Sequence, residues 1–319
     1  MKRKKRWLKV LIGVLALFLM IDIIASFFFY NLAIKRGEKE FLQDNADLEV
    51  SAQAMDEFTQ GDWRNWVRNQ PFEEMELTSY DGLKLAGYFL PAKRPSNKLV
   101  IFSHGYLGNA KQMGLYGQYY YEQLGYNIFM ADARGHGNSE GDYYGFGWHD
   151  RLDLIDWTQQ LIGKLGDDTE VVYHGLSMGA ATVLMASGEK LPNQVKAIIA
   201  DSPYSDVYGL FAYQMKRMFH LPAFPFLDST SVVTKFKADY SLKEASSLHQ
   251  VEKAKVPIFY IHGNADTFVP TEMTKELYSH TKSPAEMWLV DNANHGESFV
   301  IAKEEYIKRL NKFLKQYVQ

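Results

Sequence analysis

The chain has 319 residues, 46% hydrophobic and 23% charged, with a net charge of −3. This length suits one large domain of about 250 residues or two small ones, and the charge offers no basic field to nucleic acid. The absence of cysteine excludes disulfides, Cys-ligated zinc and a thiol nucleophile.

The first nine residues, MKRKKRWLK, hold six Lys or Arg. VLIGVLALFLMIDIIASFFFY follows, 21 residues with Asp22 as the one charge. As a helix it is roughly 31 Å long, matching a hydrocarbon core of about 30 Å. Asp22 costs about 2.5–3.5 kcal/mol on insertion scales, and fourteen Leu, Ile, Val and Phe residues offset it at about 0.3–0.6 kcal/mol each. Asp22 reads as a tolerated polar residue, with a partner helix as the other reading. A cleaved signal peptide would need a shorter apolar run closed by a small-x-small site. Ala52-Gln53-Ala54 fits that pattern but lies over twenty residues past the run. Residues 1–30 are therefore expected to be an uncleaved anchor, with residues 10–30 in a lipid bilayer. The basic run outnumbers Lys35, Arg36 and Lys39 on the far side, which predicts a cytoplasmic N-terminus and an outward-facing domain.

Residues 31–73 are polar and weakly periodic and read as a juxtamembrane helix or linker. From 74 two alternating strands flank Asp81-Gly82, a hairpin signal. Strands are then predicted at 98–104, 126–132, 170–175, 195–201, 256–262 and 286–292. Helices are predicted at 114–125, 148–165, 178–188, 271–281 and 298–317. Short apolar strands alternating with helices predict an α/β fold, with a mostly parallel sheet covered on both faces. The alternation breaks at about 204–247, an aromatic, helix-like stretch interrupted by Pro222 and Pro225. It is too long for a loop and reads as a small helical cap inserted into a domain of residues 74–319.

Two segments carry Gly-x-Ser-x-Gly, around Ser139 and around Ser177. By composition the pattern arises by chance in about one chain in ten of this length, so context must decide. A serine hydroxyl needs a base beside it and must project clear of its own backbone. Ser177 follows the strand EVVYH and precedes a small-residue helix, with Gly175 and Gly179 permitting a sharp turn. The backbone N–H of Met178 would then open a helix, where partial positive charge favours an oxyanion. Ser139 lies among five glycines with no adjoining apolar helix and reads as part of a long surface turn.

HGYLGN (104–109), DARGHGNSEG (132–141), GLSMG (175–179), DSP (201–203), HGNADTFVP (262–270) and NHGES (294–298) occur in this order. In these motifs residues 74–317 resemble the α/β-hydrolase superfamily. The resemblance implies Ser177 as nucleophile, Asp266 after the seventh strand as acid, and His295 after the eighth as base. It also implies the backbone N–H of Tyr106 as second oxyanion donor, where a plain strand-to-helix turn is the other reading. The residues alone agree on His295, which lies in a loop at the carboxyl edge of the sheet. His104, His174 and His262 lie in or at the ends of strands. Asp201, also at a strand's carboxyl end, remains the rival acid.

No dinucleotide fingerprint, phosphate loop or zinc helix is complete, so no cofactor and no metal are inferred. A dehalogenase on this fold would need Asp at position 177. The expected function is a membrane-anchored serine hydrolase acting on a small-molecule acyl substrate, foremost a carboxylesterase of lipophilic or aryl esters. Tyr208, Phe211, Phe219, Phe224 and Phe226 of the cap are expected to line an apolar acyl or aryl pocket, or simply to pack the cap. Within the superfamily the chain is similar to small-capped bacterial hydrolases related to monoacylglycerol lipases and acyl-peptide hydrolases. A peptidase or thioesterase with the same triad is the enzymatic alternative, and a silent binding module the non-enzymatic one.

Overall fold

Alternation along single strands builds two cores at once. In a computed structural model describing residues 2–39 and 50–319, Val100 and Phe102 face one apolar layer while Leu99 and Ile101 face another. Successive side chains of a strand point to opposite faces, so one apolar run can serve both. Residues 40–49 of the predicted linker lie outside the described residues.

Among the described residues eight strands form one sheet in the order β1-β2-β4-β3-β5-β6-β7-β8. They are β1 (Glu73–Thr78), β2 (Lys84–Leu90), β3 (Lys98–Ser103), β4 (Asn127–Ala131), β5 (Glu170–Leu176), β6 (Val195–Asp201), β7 (Ile258–Gly263) and β8 (Ala285–Val290). The β1–β2 hairpin turns at Asp81-Gly82, as the sequence predicts, and β2 pairs antiparallel with β4. All other pairings are parallel.

In chain order the helices are α1 (Lys2–Phe29), α2 (Ala52–Gln60), α3 (Asp62–Asn69), α4 (Gly114–Glu122), α5 (Asp150–Leu165) and α6 (Met178–Ser187). Then come α7 (Val207–Phe219), α8 (Phe226–Ala238), α9 (Ser247–Val251), α10 (Thr271–His280), α11 (Ser298–Ile301) and α12 (Lys303–Tyr317). The last predicted helix is thus two, broken at Ala302, whose φ of −128° and ψ of 42° leave the helical region. Trp157, Leu161, Val183 and Leu277 cover one sheet face; Tyr116, Tyr120, Leu310 and Phe313 cover the other.

Three segments have contacts that the sequence does not announce. Residues 52–69 are two helices against the sheet layer: Trp63, Trp66 and Val67, at helical spacing on one side of α3, are buried in the core that holds α4. Ser139 is buried rather than on a surface turn. Its hydroxyl donates to the Asp132 carbonyl (2.6 Å) and accepts from the Ala86 N–H (2.9 Å), riveting the glycine-rich loop to β2. Asp22 is also buried: it accepts a hydrogen bond from the Ser229 hydroxyl of α8, 207 positions away. The partner helix of Asp22 is therefore in its own chain.

α1 is long and apolar enough to cross a membrane. Its outer residues are exposed, but Asp22, Ser26, Phe29, Tyr30 and Ile34 are buried, the last two in a π-helical turn (Tyr30–Ile34) that ends it. At helical spacing they form one stripe. Phe29, Tyr30 and Ile34 share an apolar cluster with Leu210, Met215 and Leu227 of α7 and α8.

Candidate active site

The turn from β5 into α6 holds Ser177 at φ 55° and ψ −115°, a region costly for a side chain with a Cβ and found where a local turn is over-determined. Its N–H is fixed on the Asp201 carbonyl at 2.8 Å. The flanking glycines are steric requirements. A Cβ on Gly179 would lie 1.9 Å from the Ser103 carbonyl oxygen, and one on Gly175 would lie 2.2 Å from that of Gly179. Backbone atoms cannot yield as a flexible side chain can. Gly179→Ala is expected to cost more than about 4 kcal/mol, measurable as a collapse of the urea unfolding midpoint.

His295 lies in the loop after β8, with Nε2 2.8 Å from Ser177 Oγ. Its Nδ1 is 2.7 Å from Asp266 Oδ2. A carboxylate only accepts, so Nδ1 carries the hydrogen and Nε2 presents its lone pair to the serine hydroxyl. Asp266 is held in the turn after β7, where Oδ1 accepts from the N–H groups of Phe268 (2.9 Å) and Val269 (2.8 Å). His262 Nε2 lies 3.1 Å from Oδ2 as well.

These contacts oppose burial on both partners. Burial pushes the Asp266 carboxyl up, but the His295 charge and hydrogen bonds from His262 and His295 outweigh it and hold the acid well below the usual range. Burial pushes the His295 imidazole down, but the charge and hydrogen bond of Asp266 raise it above an ordinary histidine.

The rival residues stand elsewhere. Asp201, pushed up to about 6 by burial, accepts from the hydroxyls of Ser202 (3.1 Å) and Tyr306 (3.2 Å). His174, pushed down to about 3 by burial, sits with Tyr120 and Tyr306. His104 Nε2 accepts from the Ala133 N–H (3.0 Å) and fixes the following loop. The backbone N–H groups of Tyr106 and Met178 find no acceptor among the described residues.

Two cavities meet at Ser177. One, about 810 Å³ with its open side included, is walled by Tyr106, Phe146, Leu210, Phe211, Met215 and Phe268, among others. The other, about 820 Å³, is bordered by Phe58, Gly105, Leu107, Gln112, His295 and Gly296.

Of the five cap aromatics, Phe211 and Phe219 reach the first cavity. Tyr208 instead donates to Asp228 (2.8 Å), Phe226 packs among other cap side chains, and Phe224 is 74% exposed. Their order in the chain hides which side of each helix faces inward. Three wall residues come from a segment that sequence reading assigned to the anchor or linker: Phe29, Leu32 and Ala33. Glu297 is a further residue of the site. It is buried and accepts from the N–H of Ser51 (2.6 Å) and of Asn294 (3.1 Å), bracing the His295 loop. Its place two residues after His295 is the only signal the sequence holds.

The profile of the prolyl oligopeptidase family matches residues 113–319. The protein YqkD of Bacillus subtilis (strain 168) is 28% identical over 250 residues, covering 77% of this chain and 81% of its own. The lysophosphatidylserine lipase ABHD12 of Danio rerio is 28% identical over 204 residues, covering 61% of this chain and 50% of its own. The Pyrococcus furiosus esterase Pf2001 superposes with a TM-score of 0.63 at 26% identity, covering 80% of this chain and 93% of its own. With this likeness the mostly parallel sheet, flanked by helices, is an α/β-hydrolase fold.

Proposed function

The chain belongs to the prolyl oligopeptidase family of serine hydrolases, and from that premise we propose that it is a carboxylesterase of lipophilic esters, fixed to the membrane by α1. The carrying observation is the unbroken row Ser177–His295–Asp266, with hydrogen bonds of 2.8 and 2.7 Å, beside an apolar cavity. The esterase name of Pf2001 and the lipase name of the Danio rerio relative support an ester substrate.

In this mechanism Ser177 Oγ bonds to the ester carbonyl carbon while its proton passes to His295 Nε2. The oxyanion rests on the N–H groups of Tyr106 and Met178. The carbon–oxygen bond to the alcohol breaks and His295 protonates the departing oxygen, leaving an acyl-serine. Water then gives its proton to His295, attacks the acyl carbon and frees the acid and Ser177. The acyl group occupies the cavity of Phe211 and Phe219, and the alcohol side faces that of Leu107 and Gln112. The basic N-terminus lies in the cytoplasm and the hydrolase domain outside.

The full chain in detergent is to be treated with a fluorophosphonate and tested on p-nitrophenyl esters of short and long acyl chains. An adduct on Ser177 with ester turnover is expected. An adduct without ester turnover favours a peptidase or thioesterase; no adduct and no turnover favour a binding module. Lys216 and Arg217, the cap cations a peptidase would use for a peptide terminus, are exposed and do not wall the cavity.

The base must be neutral to take the proton. Because the His295 pKa is raised, kcat/KM should fall as pH drops through a midpoint above the ordinary value of about 6.5. A pH–rate profile flat from 8 down to 6 would remove His295 from this role.

A further inference from the structure

The anchor and the acyl cavity share residues. Phe29 closes α1 and meets the Phe219 ring at 5.4 Å, and with Leu32 and Ala33 it walls the cavity that ends on Ser177. The Tyr106 hydroxyl donates to the Ala33 carbonyl at 2.6 Å, tying that turn to the loop that carries the Tyr106 N–H. Leu227 and Thr230 of α8 line the same cavity.

The register of α1 sets the depth of this arrangement. With Lys9, last of the basic run, at the inner interface, a core of about 30 Å takes about 20 residues and ends near Phe29. Asp22 then lies about 10 Å inside the outer boundary, and tilting α1 only deepens it. Ser229 donates to Asp22, so α8 must dip into the outer leaflet to meet it. The exposed side of the cap suits that place. Phe224 is 74%, Val232 70% and Phe236 85% exposed. An aqueous surface seldom carries three such residues together. Lys235 and Lys237 flank Phe236; Lys235 is held on Glu244 at 3.3 Å, and Lys237 can snorkel its ammonium group toward the headgroups.

We propose that α1 is a wall of the substrate site, and that the acyl chain lodged against Phe29, Leu32 and Ala33 belongs to a membrane lipid ester taken up from the outer leaflet into which α8 dips. This rests on the esterase reading above for the reaction and on the membrane-spanning reading of α1 for the leaflet, but on neither for the cavity itself.

The test uses the full chain in phosphatidylcholine nanodiscs and compares Ser177 labelling by decyl and ethyl fluorophosphonates. Ala33→Trp fills the wall and is expected to lower the decyl-to-ethyl rate ratio by at least about tenfold. Leu32→Ala strips the wall and lowers it several-fold. Leu15→Ala, on the exposed side of α1, leaves it unchanged. A ratio unchanged by both wall variants overturns the inference, and Leu32→Ala decides alone if Ala33→Trp does not fold. Labelling without ester turnover defeats the esterase reading while this ratio still reports on the wall. No labelling of Ser177 in the natural chain defeats both. Because the chain has no cysteine, Phe236→Cys accepts a single spin label. Greater collision with oxygen than with a nickel chelate is expected there; the reverse overturns uptake from the leaflet.

Discussion

Ser177→Ala should reduce ester turnover by on the order of 10⁶-fold, the scale seen when a serine nucleophile is removed from a working triad. The loss is this large because no neighbouring group can replace the hydroxyl. Ser139, the other serine between glycines, is buried with its hydroxyl donated to Asp132. Adding His295→Ala should lower the rate little further, since base and nucleophile act as one unit. Stability should hardly change, because the Ser177 N–H that fixes the turn is retained and only one oxygen is lost. A p-nitrophenyl ester assay on the purified variant reads the result. Turnover within tenfold of the natural chain would make some other group the nucleophile.

Asp266→Asn should lower kcat by about 10⁴-fold with KM nearly unchanged. An amide nitrogen facing His295 would donate, pushing the ring hydrogen from Nδ1 to Nε2. The imidazole could then no longer accept from Ser177. The effect should also show in pH. Removing the charge that raises the His295 pKa should move the acid limb of the rate profile downward. A loss below about tenfold would mean that Asp201 or a water supplies the orienting acceptor.

Much of this site is legible in sequence because its constraints are local. The turn at Ser177 needs small residues within two positions on each side, and Gly175 and Gly179 are there for stated contacts of 2.2 and 1.9 Å. The strands are legible because β3 and β5 are short apolar runs serving two faces. What escaped is long-range. Asp22 looked like a tolerated charge because its partner lies 207 positions away. Trp63, Trp66 and Val67 have helical spacing, yet their polar neighbours give no sign that this helix packs on α4. The cap aromatics were read by type, and only helix orientation separates Phe211, on the cavity, from Tyr208, on Asp228.

The contacts of residues 51–53 bear on how this hydrolase could be trimmed. The Ser51 N–H donates to Glu297, and the Gln53 amide donates to the Val300 carbonyl at 3.1 Å. Cutting the chain just ahead of β1 would therefore remove more than α1. Glu297 would lose its outside strut, and the imidazole two residues before it would gain room to drift from the serine. Keeping the chain from Val50 onward would hold the imidazole loop in place, while leaving the cavity without the wall of Phe29, Leu32 and Ala33.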